Sequence, residues 1–217
     1  MKFIKYILNK LNPPKVVNPA VSNIPEIPAS SMPAPIEPTK KYKKIAIIIG
    51  HGHGDSGAES WDKGRNEFEY NSIVAKYINS KIKNREIKLF WRGRTGITGV
   101  NSQVNLWDDD LSIELHLNSA DVPARGCEIL CLGSDKAAVS LGRDLAAAFC
   151  LKFGRKLRDE DGVKELKKKD RGHYSLALVD DGKPSILVEP FFISNKDEWI
   201  DPLIYADFLV NWINELP

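Results

Sequence analysis

From Lys44 onward, short apolar runs alternate with longer stretches of helical spacing. Ile45, Ile47, Ile48 and Ile49 are β-branched and uninterrupted by charge, which suits a strand buried on both faces of a parallel sheet. Over residues 66–82, Tyr70, Val74, Ile78 and Ile82 recur at helical intervals and predict a helix. IKLFW (87–91) reads as a strand, residues 100–107 as a short helix, and LSIELHLNSA (111–120) as a strand running into a polar turn. CEILCL (127–132) predicts a further strand, residues 135–153 a helix, and SILVEPFFISN (185–195) another strand. Residues 199–215 close the chain as an amphipathic helix through Leu203, Ile204, Phe208, Trp212 and Ile213, whereas the charged stretch 154–172 reads as loop. Strands alternating with helices predict an α/β fold: a single layered domain over residues 43–217, with a mostly parallel central sheet flanked by helices.

The first 42 residues follow a different pattern. MKFIKYILNKL (1–11) is amphipathic, with Lys5 and Lys10 interrupting the apolar run that a secretory signal requires. It reads as a segment docking on a membrane surface, a virion or another protein, or else as a frayed terminus. Residues 12–42 hold eight of the thirteen prolines, at 13, 14, 19, 25, 28, 33, 35 and 38, and read as an extended tether. A net charge of +2 argues against nucleic acid as a partner. Cys127, Cys131 and Cys150 are too few and odd in number for a disulfide framework. No apolar run is long enough to span a membrane.

Three apolar strands terminate in ionisable residues: His51, His116 and Glu189. If those strands are parallel neighbours, the side chains converge at one edge of the sheet, where α/β folds bind ligands. A fourth candidate lies on the first helix. At about 100° per residue, Glu67 falls within the Tyr70–Val74–Ile78–Ile82 stripe while Glu69 points away. An ionised carboxylate facing a core needs a partner or a metal; equally, a first-turn Glu can stay wet and meet the helix N-terminus. Two imidazoles and a carboxylate match catalytic zinc, with a fourth position for a water whose pKa falls to about 7. Glu189 then suits a general base. Its apolar neighbours raise its pKa, whereas a nearby dication lowers it.

At these residues the chain resembles the zinc-dependent N-acetylmuramoyl-L-alanine amidases of bacterial walls and phage endolysins. A His-Gly-x-x-Asp-x-Gly-Ala block falls on His51, Gly52, Asp55, Gly57 and Ala58. A Glu with an Asn four residues on falls on Glu67 and Asn71, a His-x-Asn block on His116 and Asn118, and Glu-x-x-Phe-x-Ser-Asn on Glu189, Phe192, Ser194 and Asn195. The resemblance covers residues 44–215. It implies one zinc ion held by His51, Glu67 and His116, with Glu189 as general base and acid. Peptidoglycan is the implied substrate, cut between N-acetylmuramic acid and L-alanine. It also implies substrate-binding or outer-shell roles for Asp55, Asn118 and Asn195. His53 reads as a surface residue or substrate contact, since the frame of Asp55 and Gly57 selects His51 as the ligand. The chain departs from the family at Ile48 and Ile49, where Asp-Pro is usual, and at Phe191, where Gly is usual and the larger ring is expected to reshape the pocket floor.

Other features carry less. The Lys-rich run within 158–174 reads as a solvated face, with His173 as an ordinary loop histidine or, as the alternative, an outer-shell or oxyanion contact beside the site. Cys127 and Cys131 read as buried thiols. Gly52, Gly54 and Gly57 spell a dinucleotide fingerprint, but no ribose-binding acid ends the next strand and Asp55 would sit among the phosphates. Another zinc peptidase or a non-catalytic wall-binding module are the competing readings. The implied site of action is the bacterial wall or periplasm. Without a clear export signal, a phage or prophage lysin or a virion-associated enzyme reconciles the two.

Overall fold

The computed structural model describes residues 41–217 except 53, 122, 123, 180 and 181. The elements follow in order: β1 (Lys44–Gly52), α1 (Glu67–Lys81), β2 (Glu86–Arg92), α2 (Gly96–Trp107), β3 (Leu111–Leu115), β4 (Glu128–Leu132), α3 (Lys136–Phe153), β5 (Val163–Leu166), α4 (His173–Val179), β6 (Ser185–Glu189) and α5 (Pro202–Glu215). Six strands form one sheet in the order β2-β1-β3-β6-β4-β5. All neighbours are parallel except β4 and β6, which are antiparallel, so β4 and β5 run against the other four.

β1 is paired on both sides, and Ile45, Ile47 and Ile48 are at most 1% exposed, as an unbroken β-branched run in a covered sheet requires. Each such side chain contributes roughly 1.5–3 kcal/mol relative to exposure. Ala46, Ile48 and Phe90 meet Val100, Val104 and Val179 on the face covered by α2 and α4. The opposite face carries α1, α3 and α5, the last two joined by edge-to-face contacts of Phe149 with Tyr205 and Phe208. Tyr70 anchors α1 there, its hydroxyl donating to the Ile200 carbonyl at 2.9 Å. Phe191 is fully buried against Tyr70 and Tyr205, so the residue expected to reshape the pocket floor is instead a core side chain under α1.

The stretch 154–172 is not all loop. Val163–Leu166 pairs with β4 as an edge strand, burying Val163 and Leu166 while Lys164 and Glu165 between them stay more open. Two apolar residues at the ends of a four-residue strand leave no alternation to read in a charged sequence. α2 begins at Gly96, four residues earlier than its apolar spacing suggests.

Candidate metal centre

β1, β3 and β6 are adjacent and parallel, so their carboxyl ends share one edge. Leu115 pairs with Val188, and the His116 N–H donates to the Val188 carbonyl at 3.0 Å, which brings His116 beside Glu189. His51 reaches the same edge by an irregularity: the β1–β2 register slips between Ile49 and Gly52, and His51 takes φ +64°. A non-glycine residue held in the left-handed region is a local cost that persists where surrounding structure fixes it.

Glu67 opens α1. Asn66 caps that helix, accepting the Glu69 N–H at 2.9 Å while the Glu69 carboxylate accepts the Asn66 N–H, so the outward acid closes a capping box. The inward acid is 3% exposed, which settles the wet alternative against it. Glu67 Oε1 lies 2.9 Å from His116 Nδ1, and Oε2 lies 3.1 Å from His51 Nε2. The Leu117 and Ala58 N–H groups donate to the same two oxygens at 2.8 and 3.2 Å. One donor atom from each of His51, Glu67 and His116 lies within 4.8 Å of the others. Two glycines make the room. A Cβ on Gly50 would stand 2.5 Å from His116 Cε1, and one on Gly57 would stand 2.6 Å from both Glu67 Oε2 and His51 Cδ2.

The remaining ring nitrogens each face another carboxylate. Asp55 Oδ1 is 3.0 Å from His51 Nδ1, though out of line for a good hydrogen bond, and Glu114 Oε1 is 3.0 Å from His116 Nε2. Glu114 is 1% exposed; it accepts the Ser175 hydroxyl at 2.5 Å and lies 3.4 Å from Arg92 Nη2. Arg92 Nη1 also stands 3.8 Å from Asp55 Oδ2. Glu114 is absent from the sequence-derived site. A signal was there: a lone acid two residues before His116, on the same strand face, within an otherwise apolar run.

Burial opposes charge on His116, but hydrogen bonds and the fields of Glu114 and Glu67 outweigh it and hold its pKa up to about 10. His51 is raised as well, its desolvation overcome by Glu67 and Asp55. Glu67 and Glu114 are desolvated yet held below the ordinary range by their histidine partners. Buried acids with two imidazoles make a socket that demands positive charge, and this borderline nitrogen and oxygen donor set fits a divalent ion such as zinc. Glu189 moves the other way. Burial pushes its carboxyl up, with Glu128 and Glu67 adding to the rise and His116 and Arg158 opposing it.

The sequence profile described as N-acetylmuramoyl-L-alanine amidase matches residues 45–199. The chain belongs to this amidase family. No curated protein matches it. Among solved structures, the chain is similar to the catalytic domain of the amidase CwlV from Bacillus (Paenibacillus) polymyxa var. colistinus, at 19% identity and TM-score 0.64, over 80% of this chain and 97% of that one. An N-acetylmuramoyl-L-alanine amidase from Clostridium difficile 630 aligns at 22% identity and TM-score 0.62, over 80% and 93% of the two chains. The catalytic domain of the CD27L endolysin, targeting Clostridia difficile, aligns at 22% identity and TM-score 0.61, over 81% and 98%. At these identities the likeness is one of fold.

In the amidase, Asn118 joins the segments that follow β3 and β6: its N–H donates to the Phe191 carbonyl, and its carbonyl accepts the Ile193 N–H. The Asn118 Nδ2 is buried without a partner among the described residues. Asn195 is committed to structure, accepting the Asp197 N–H and donating to the Ala124 carbonyl at 2.9 Å. His173 opens α4, two residues before Ser175, and stands outside the His51–Glu67–His116 group. His53 lies outside the described residues. A groove of about 610 Å³ runs beside α1, lined by Ile49, Arg65, Phe68, Leu89 and Trp91, and contains none of the four candidate residues.

Proposed function

We propose that the amidase holds one zinc ion through His51, Glu67 and His116 and hydrolyses the amide between the lactyl group of N-acetylmuramic acid and L-alanine. The observation that carries this reading is a single buried carboxylate faced by one nitrogen of each histidine, with Glu189 ending the adjacent strand. Zinc there would supply a Lewis acid for the scissile carbonyl and lower the pKa of the attacking water. The chain's own groups do the rest. Glu189, on a short buried strand, takes a proton from the water as its oxygen attacks and returns it to the departing alanine nitrogen. Its raised pKa favours that return. Glu67 holds the His51 ring while Asp55 faces its other nitrogen, and the unused Asn118 Nδ2 offers a donor to the substrate.

Residues 1–11 and 12–42 fall outside the described part, apart from Lys41 and Tyr42. Their sequence supports a docking segment on a tether, carrying a catalytic domain from residue 43 to its wall polymer. That arrangement suits a phage or prophage lysin, or an enzyme attached to a virion.

Peptidoglycan incubated with the protein should release stem peptides bearing a free L-alanine amino group, identified by mass spectrometry. A chelator should stop release and zinc restore it. Glu189→Gln should lower kcat by roughly 10²–10⁴-fold while zinc still binds. Cleavage at another bond would reassign the substrate, and no cleavage by zinc-loaded protein would remove the catalytic reading.

A further inference from the structure

His116 can offer Nδ1 to a metal only if its proton resides on Nε2. In a histidine ligand that choice is made by the hydrogen bond at the other nitrogen. Glu114 Oε1 sits 3.0 Å from Nε2. The acid and the ring lie two residues apart on β3 and its immediate extension, so both project from one face of a strand buried along its whole length. This placement relies on rigid sheet, not on a loop.

Glu114 is fixed in turn. The Ser175 hydroxyl donates to Oε2 at 2.5 Å from α4, and Arg92 approaches Oε1 at 3.4 Å from the end of β2. A carboxylate 1% exposed persists only with such partners. On the other side of the ring, Gly50 presents bare backbone, and the space a Cβ would take is filled by His116 Cε1 and Nε2 at 2.5 and 2.6 Å. The ring is therefore confined between β1 and its own strand, with Nε2 aimed at Glu114.

We propose that Glu114 is a positioning residue for the metal site: it holds His116 as the Nε2–H tautomer, oriented with Nδ1 toward Glu67, and Ser175 and Arg92 hold Glu114. The inference rests on the zinc reading given above. It also assigns a purpose to α4 and the end of β2, which contribute no metal ligand. Arg92, within 3.8 Å of Asp55 as well as 3.4 Å of Glu114, ties together the carboxylates behind both histidines.

The test is a zinc titration of metal-free full-length protein against a chromophoric chelator, for wild type, Glu114→Gln and His51→Ala. It is joined by ¹H–¹⁵N spectra of the zinc-loaded His116 ring. Gln keeps the shape and the acceptor but removes the charge. Wild type should show a single Nε2–H tautomer. Glu114→Gln should bind zinc about 10–100-fold more weakly and show a shifted or mixed tautomer, with its far-ultraviolet dichroism unchanged. His51→Ala should lose at least as much affinity, showing that the titrated ion occupies this site. If Glu114→Gln binds zinc within about twofold of wild type with the same tautomer while His51→Ala fails, the positioning role is overturned and the metal site stands. If wild type binds no zinc, or His51→Ala binds it as wild type does, the metal reading falls and this inference with it. Should Glu114→Gln not fold, Ser175→Ala decides: a loss of about threefold or more supports the role, and unchanged affinity overturns it.

Discussion

His116 carries most of the electrostatic tension in the site, and the tension has a sign. Its pKa is held up to about 10 against an ordinary 6.5, so protonation of the metal-free protein favours folding. That contribution is complete below about pH 6.5 and is lost as pH rises through about 10. With zinc bound through Nδ1 the ring has no such proton to lose. The rise in Tm on adding zinc should therefore grow between pH 6.5 and 9, measured calorimetrically at matched free zinc; a flat or shrinking increment would count against both the site and the assigned pKa. Gly50→Ala tests the packing around the same ring. Its Cβ would meet His116 Cε1 and the Leu115 carbonyl oxygen at 2.5 Å, so backbone must move. The expected cost is roughly 1–3 kcal/mol by urea unfolding, with weaker zinc binding. The meeting of His51, His116 and Glu189 at one sheet edge was legible because each ends an apolar strand, whereas helix phase offered Glu67 as an inward acid without excluding a wet first turn. Glu114 stood out as a lone acid in an apolar run, but its role was not legible, because its partners Ser175 and Arg92 lie 61 and 22 residues away in the chain, and only the fold brings them together.

At the scale of elements, the first turn of α1 is where secondary structure becomes chemistry. Asn66 and Glu69 close the capping box around Glu67 and Phe68, so cap geometry and ligand position are set together. Asn66→Ala should cost about 1 kcal/mol of stability and also weaken zinc binding, because the first turn that carries Glu67 frays; a stability loss with unchanged zinc affinity would show that the Leu117 and Ala58 N–H groups suffice to place Glu67. The capping box at Asn66 came to light only in the structure, whereas the extent of α1 was readable from its apolar spacing. The direction of β4 was not: CEILCL is an apolar run that reads alike in either sense, and only pairing with β6 fixes it as antiparallel. β5 escaped for the reason that hides many edge strands, since Val163 and Leu166 bury themselves around a half-buried Lys164 and an exposed Glu165. α4 escaped because seven residues cannot display a helical period against a charged background.

The described part of the molecule is closed on itself. The Lys41 and Tyr42 N–H groups donate to the Pro217 carbonyl at 2.9 and 3.3 Å, and the Arg85 guanidinium reaches the carbonyls of Tyr42 and Leu216. The approach to β1 and the end of α5 thus share one set of polar contacts, and all of them lie at or after residue 41. The four candidate site residues and both carboxylates behind the histidines also belong to this part. No helix among the described residues is long and apolar enough to cross a membrane. If residues 1–40 are a docking segment and spacer, their deletion should leave Tm and turnover of a soluble muramyl-peptide substrate unchanged. Their contribution would appear only on intact sacculi or at a docked surface, where a tether raises local concentration without touching chemistry. A correctly folded truncation that loses turnover on the soluble substrate would reject the tether, because nothing but direct participation in the site could then account for the loss.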